Sequence, residues 1–213
     1  MVAFEYSVGR LEFNRELQKE KGVKHPIVKG DACHLPFKPG VFDIVSSKHL
    51  IEHLPQPEQR VKEMATVLSP TGFIYMNYPN RYAIRQIFRD DHYNLPLVTL
   101  LPRPLAKFIV TRIMKYEKEY STNVFLSKPW CDRMVADAGL SCKYVMPDME
   151  LLERKVQEPG TINNKQVRVL LLLLKKTGLT NLFIALMKTT LFQSLAFPNF
   201  TVMASKITPV QAE

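Results

Sequence analysis

Glycine is scarce in this 213-residue chain. Its eight glycines nowhere form a GxGxG or GxGxxG cluster, so no turn of the kind that cradles phosphates or cofactors is legible. Cysteine is scarcer. Cys33, Cys131 and Cys142 are odd in number and form no CxxC pair, which argues against a disulfide framework and for a reducing, cytoplasmic location. Apolar runs stop at six residues, as in 169–174, against the ~20 that a membrane-crossing helix needs. The opening MVAFEYS lacks a basic stretch followed by an apolar core and a cleavage site, so no secretory signal is expected.

Apolar residues make up 46% and charged residues 23% of the chain, a composition that can bury a core. The length suits one large domain, or one domain carrying an insertion. The charge is uneven. Residues 1–80 hold 10 basic and 9 acidic side chains, and residues 81–213 hold 19 and 11. The later part is therefore expected to meet something anionic, either lipid head groups, a phosphorylated substrate or nucleic acid; a solvated basic surface explains the charge equally well.

Short β-branched runs at 2–6, 26–29, 41–47 and 73–78 alternate with helical patterns at 10–21 and 57–68. The clearest stripe is Val61, Met64, Ala65 and Leu68, with Pro57 suited to its first turn. Residues 69–72, Ser-Pro-Thr-Gly, are expected to break this helix before the fourth strand. The apolar run at 41–47 predicts a strand covered on both faces. Such alternation predicts a parallel sheet with helices on its faces. Beyond residue 80, helices are expected at 81–89, 97–116 and 128–138, the last capped by Ser127 and stopped by Gly139. A strand at 141–146, two apolar helices within 166–195 and a last strand at 200–206 complete the reading.

Ligands of open α/β sheets bind at the carboxyl ends of the strands. Here those ends carry Glu5, Gly30-Asp31-Ala32, Ser46-Ser47 and Tyr78-Pro79-Asn80. Two carboxylates on successive strand ends can hold a nucleoside, one accepting from ribose hydroxyls and the other from an exocyclic amine. Taken singly, Glu5 reads as a surface acid and Asp31 as a turn residue.

The string Gly30-Asp31-Ala32, Leu35-Pro36-Phe37, Phe42-Asp43-Ile44-Val45, Leu50-Ile51-Glu52-His53-Leu54, Val67-Leu68-Ser69-Pro70-Thr71-Gly72 and Tyr78-Pro79-Asn80 resembles the class I S-adenosylmethionine-dependent methyltransferases, in the branch that modifies small molecules and lipids. The likeness spans residues 2–80 and, more thinly, 121–146 and 200–206. It implies an α/β, Rossmann-like methyltransferase sheet and S-adenosyl-L-methionine as cofactor. Glu5 and Tyr6 would face its ribose, Asp31 and Ala32 its adenine, and Ser46 or Ser47 its methionine end. The family's first strand and glycine-rich loop have no counterpart here. The resemblance therefore implies a sheet truncated by about 50–60 residues, the size of a βα unit with a leader, and a gap between the strands at 2–6 and 41–47. The expected parts are a partial cofactor-binding half (1–80), a helical lid (81–126), and a second half of the sheet (127–213) with a helical insertion at about 147–197. A non-catalytic remnant that binds no cofactor is the alternative.

Methyl transfer to a hydroxyl asks for positioning and a base. His92 and His49 are the candidates, with Asp90 or Asp91 orienting the former; residues 90–94 read equally as a plain polar loop. His49-Leu50-Ile51-Glu52-His53 also matches H-x-x-E-H, the pattern of some zinc peptidases. It sits between a strand and Pro55, too short for the helix that motif needs, so no metal site is expected. Leu97, Leu100, Leu101, Leu105, Phe108, Ile109 and Ile113, bordered by Arg103, Lys107, Arg112 and Lys115, suit a small lipophilic or glycolipid-like acceptor reached at an anionic membrane surface. A lid packed on the sheet, with its lysines in water, is the competing reading. Aromatics are not interleaved with the basic residues, so nucleic acid is not the expected partner.

Overall fold

A computed structural model of the chain describes residues 1–115, 126–145 and 149–207. Strands β1 (Ala3–Glu5) and β2 (Ile27–Lys29) pair in parallel, and helix α1 (Val8–Lys21) crosses between them. Gly22 ends α1 at φ 66°, the left-handed region that glycine enters without cost. The N–H groups of Gly22 and Val23 reach back to the carbonyls of Lys19 and Gln18, closing the helix end.

β3 (Phe42–Lys48) lies parallel to β4 (Leu68–Pro79), with α2 (Pro57–Val67) crossing between them. Pro57 occupies the first turn of α2, and Val61, Met64 and Leu68 are fully buried. Residues 69–72 do not separate helix from strand as expected. Pairing jumps from Phe42 with Leu68 to Ile44 with Phe73, so the extra residues are carried as a bulge inside β4. A Cβ at Gly72 would lie 2.7 Å from the Asp43 carbonyl oxygen, which is why glycine stands there.

The two-stranded β1–β2 sheet is separate from a four-stranded sheet in the order β3-β4-β6-β5. In the latter, β6 (Asn199–Lys206) runs antiparallel to both β4 and β5 (Leu140–Tyr144). The expectation of a parallel sheet therefore holds for β1–β2 and β3–β4 only, because strand direction is set by the connections and not by the strand's own residues. β3 also departs from the sequence. It is an edge strand, with Ile44 59% exposed, not one covered on both faces. Its open edge faces β1 across a cleft of about 400 Å³, lined by Phe4 and Glu5 on one side and Ile44, Val45, Ser46 and Ser47 on the other.

After β4 come α3 (Ile84–Phe88), a 3₁₀ turn (Val98–Leu100), and α4 (Arg103–Phe108) running into a π turn (Ile109–Ile113). The single helix expected at 97–116 is broken here: Leu97 is left-handed, and Pro102 and Pro104 fix a new helix start. Residue 116 lies outside the described residues. α5 (Lys128–Asp137) has Ser127 at its N-cap, but the hydroxyl makes no capping bond; Pro129 pre-sets the first turn instead. α2 and α5 close the main core over β4 and β6, with Met64, Met134, Val135, Ile74 and Val202 in contact. The strand expected at 141–146 ends at Tyr144, and residue 146 is outside the described residues.

Among the described residues, four helices precede β6: α6 (Met149–Gln157), α7 (Lys165–Lys176), α8 (Thr180–Met187) and α9 (Thr190–Ala196); the last three stand where two were expected at 166–195. Val156, Leu171, Ile184 and Met187 form their small core. Among the described residues, no helix is long and apolar enough to cross a membrane.

Candidate active site

The carboxyl ends of β1 and β2 open into a cavity of about 680 Å³ whose lining includes Glu5, Tyr6, Arg10, Asp31, Ala32 and His53. Each carboxylate is oriented locally. Glu5 Oε1 accepts from the N–H groups of Tyr6 and Ser7, both at 2.9 Å. Asp31 Oδ1 accepts from Cys33 N–H at 2.8 Å, and His34 Nδ1 lies 3.6 Å from Oδ2. The Cys33 N–H, aided by His34, holds the Asp31 carboxyl below the usual carboxylate range. The buried Arg60 donates to the Ala32 carbonyl at 3.0 Å and fixes that rim. At Gly30 a Cβ would sit 2.5 Å from the Phe4 ring, so the strand end approaches the ring as only glycine allows.

A second group lies beside this cavity. β3 gives out at Lys48, His49 takes a left-handed conformation (φ 45°), and a 3₁₀ turn spans Ile51–His53. Glu52 is 1% exposed, and neither carboxylate oxygen accepts a hydrogen bond. His49 Nδ1 stands 3.5 Å from Glu52 Oε1. Burial pushes the Glu52 carboxyl up, against the opposing pull of His53 and His49. His92 comes in from the insertion and packs edge-on against His53 with ring centroids 5.1 Å apart. Burial, reinforced by His53, pushes the His92 imidazole below its ordinary value. Asp90 is fully buried and accepts from the N–H groups of His92, Tyr93 and Leu95, each at 2.9 Å. Its Oδ2 is 3.9 Å from His92 Nδ1, too far for a hydrogen bond; it shapes the loop and does not hold the ring. Asp91 pairs with Arg85 at 2.9 Å.

Glu5, Tyr6, Asp31 and Ala32 thus share one cavity, while Ser46, Ser47 and His49 line the neighbouring cleft between β1 and β3. Ser47 is buried with its hydroxyl unpartnered. His92 joins through His53. His49 and His53 do not share a helix face, so the zinc-peptidase arrangement is not built. Sequence reasoning missed Arg10, which lines both spaces; a lone exposed arginine early in a helix carries no signal of its own.

Residues 1–76 match the family model described as a methyltransferase domain. In that segment the chain resembles a methyltransferase domain. The ubiquinone biosynthesis O-methyltransferase of Chromobacterium violaceum is 29% identical over 102 residues, which cover 48% of this chain and 38% of that protein. Norajmaline N-methyltransferase of Rauvolfia serpentina is 38% identical over 53 residues, 24% of this chain and 18% of that protein. The chain thus matches well under half the length of either relative. A Bacillus halodurans C-125 protein assigned to the methyltransferases superposes with a TM-score of 0.51 at 19% identity, over 97% of this chain and 83% of that one. At that identity the likeness shows the fold: the chain is α/β and Rossmann-like.

Proposed function

We propose that this chain takes S-adenosyl-L-methionine and methylates an oxygen of a small lipophilic or glycolipid-like acceptor. The observation that carries this reading is the placement of Glu5 and Asp31 at neighbouring strand ends in one cavity of about 680 Å³, within the roughly 300–1,000 Å³ usual for small-molecule sites. When bound, the cofactor supplies a methyl group on a sulfonium. The rest falls to the chain's own residues. Glu5, with Tyr6 beside it, accepts the ribose hydroxyls; Asp31 and Ala32 take the adenine edge. Arg10 reaches both spaces and offers a cation to the methionine carboxylate, a role that matters because the chain has no glycine-rich turn. Ser46 and Ser47 flank that end.

The relatives divide between O- and N-methylation, so the atom is argued from the site. A hydroxyl must lose a proton as it attacks, whereas a neutral amine brings its own lone pair. His49 is half-exposed in the cleft with the Glu52 carboxylate 3.5 Å behind it, a pair suited to receive that proton.

Lipophilicity rests on apolar side chains left in solvent. Leu97, Leu105, Phe108 and Ile113 on the insertion, and Leu170, Leu173 and Leu182 on α7 and α8, are exposed beside Lys107, Arg112, Lys175 and Lys176. Such borders favour an amphiphile at an anionic surface. The test is transfer of labelled methyl from the cofactor into solvent-extractable product by the purified chain. Product that disappears with His49→Gln while S-adenosylhomocysteine still binds supports the reading. Absence of both binding and product leaves the non-catalytic alternative.

A further inference from the structure

We propose that Glu52, His53 and His92 form a binding site for a divalent first-row metal ion of the zinc class, at the wall between the cavity and the insertion. One ligand atom from each of the three lies within 4.8 Å of the others. Glu52 supplies the independent observation. Its carboxylate is 1% exposed, aimed into the cluster, and neither oxygen accepts a hydrogen bond. A carboxylate so deprived of water is stabilised by a proton or by a cation in contact, and the two facing imidazoles make this a place for a cation. His49 Nδ1, at 3.5 Å and outside hydrogen-bond geometry, meets that need only in part.

The donor chemistry agrees. Two imidazoles and one carboxylate suit Zn²⁺ and its neighbours, and poorly suit Mg²⁺ or Ca²⁺, which prefer all-oxygen shells. Bonds of about 2.0–2.1 Å place tetrahedral donors roughly 3.4 Å apart, so from separations of up to 4.8 Å the three must draw in by at most about 1.4 Å. Their mounting permits this, because His92 rides on the insertion loop while Glu52 and His53 are adjacent on one 3₁₀ turn. The insertion would then be clipped to the nucleotide-binding half. His53 also lines the 680 Å³ cavity, so the three residues would hold the ion beside the ligand. Resting on the proposed methyl transfer, an ion held there would supply Lewis acidity toward an acceptor hydroxyl, with His49 the group placed to receive the proton.

The 213-residue chain, stripped with a chelator, is titrated with Zn²⁺ by calorimetry and with Co²⁺ by visible absorption, and S-adenosylhomocysteine binding is measured alongside. One tight equivalent is expected, with a Co²⁺ spectrum of four- or five-coordinate nitrogen and oxygen ligands. Glu52→Gln, His53→Gln and His92→Gln should each weaken it at least tenfold, while His25→Gln and His34→Gln, at the histidines outside the cluster, leave it intact. If a change on the 3₁₀ turn prevents folding, as judged by circular dichroism, His92→Gln, outside that turn, carries the test. No stoichiometric binding, or binding unchanged in His92→Gln, overturns the site. Metal failing while S-adenosylhomocysteine binds removes the ion alone; the reverse leaves the ion and removes the methyl transfer.

Discussion

His92 stands edge-on to His53 at 5.1 Å between ring centroids and 71° between planes. One ring comes from the insertion after β4 and the other from the turn after β3, so this contact joins the part that would meet the acceptor to the part that would hold the cofactor. The buried turn closed by Asp90 fixes where His92 is presented.

Gly72 tests the bulge that starts β4. In Gly72→Ala the new methyl meets the Asp43 carbonyl oxygen at 2.7 Å and Leu68 Cδ1 at 2.9 Å. Overpacking of this kind costs about 1–3 kcal/mol, and Tm falls about 2–4 °C per kcal/mol in a protein of this size. A thermal melt with unchanged Tm would show that the bulge is not built as described.

Arg10 should separate the two halves of the cofactor. Arg10→Met is expected to weaken S-adenosylhomocysteine about tenfold, the loss of one charged hydrogen bond at ~1.4 kcal/mol, and to leave adenosine unaffected. Equal losses for both ligands in parallel titrations would place Arg10 at the nucleoside instead.

Asp31 has a pH signature. Its carboxyl is held below the ordinary value of 3.8, chiefly by Cys33 N–H, so the folded state binds its proton less readily than the unfolded chain. That stability is present above the ordinary value and is lost as pH falls through the folded one. Asp31→Asn should therefore melt earlier than wild type at pH 7, with the difference closing as pH falls through the folded carboxyl's lowered value. A difference that persists in the acid melts would contradict the hydrogen-bond assignment.

The apolar face of α7 predicts attachment to anionic vesicles. Lys188 is ion-paired with Glu153 at 2.8 Å, whereas Lys175 donates only to the Gln157 carbonyl at 3.2 Å, so Lys175 and Lys176 are the pair to reverse. Each basic residue near such a surface is worth about 1 kcal/mol, and 1 M salt shortens the screening length to ~3 Å. Co-sedimentation should fall with salt and with Lys175→Glu, Lys176→Glu. Equal partitioning onto neutral and anionic vesicles would leave a solvated basic surface.

Local features were legible in the sequence and contacts between distant elements were not. The α2 stripe, the Gly22 helix end, both short parallel strands and β6 could be read because each depends on residues within a few positions. The open face of β3 could not, since exposure of a strand depends on which strand lies beside it. The helix expected at 97–116 failed where Pro102 and Pro104 outweighed the apolar spacing. In the site, Glu5 and Asp31 were found because strand ends are where such sheets bind ligands. Glu52 with His92, and Arg10, were missed because only the tertiary fold sets residues 52 and 92 beside each other and brings Arg10 to the cavity that His53 lines.

The account stands or falls on the cavity shared by Glu5 and Asp31. Calorimetry of S-adenosylhomocysteine on the wild-type chain, Glu5→Ala and Asp31→Ala measures it directly. Each carboxylate's hydrogen bond to the nucleoside is worth about 1.5–3 kcal/mol, so each variant should bind roughly 10–150-fold more weakly than wild type. Wild-type affinity in both variants, or no binding by the wild-type chain, would contradict the assignment of this cavity to the cofactor.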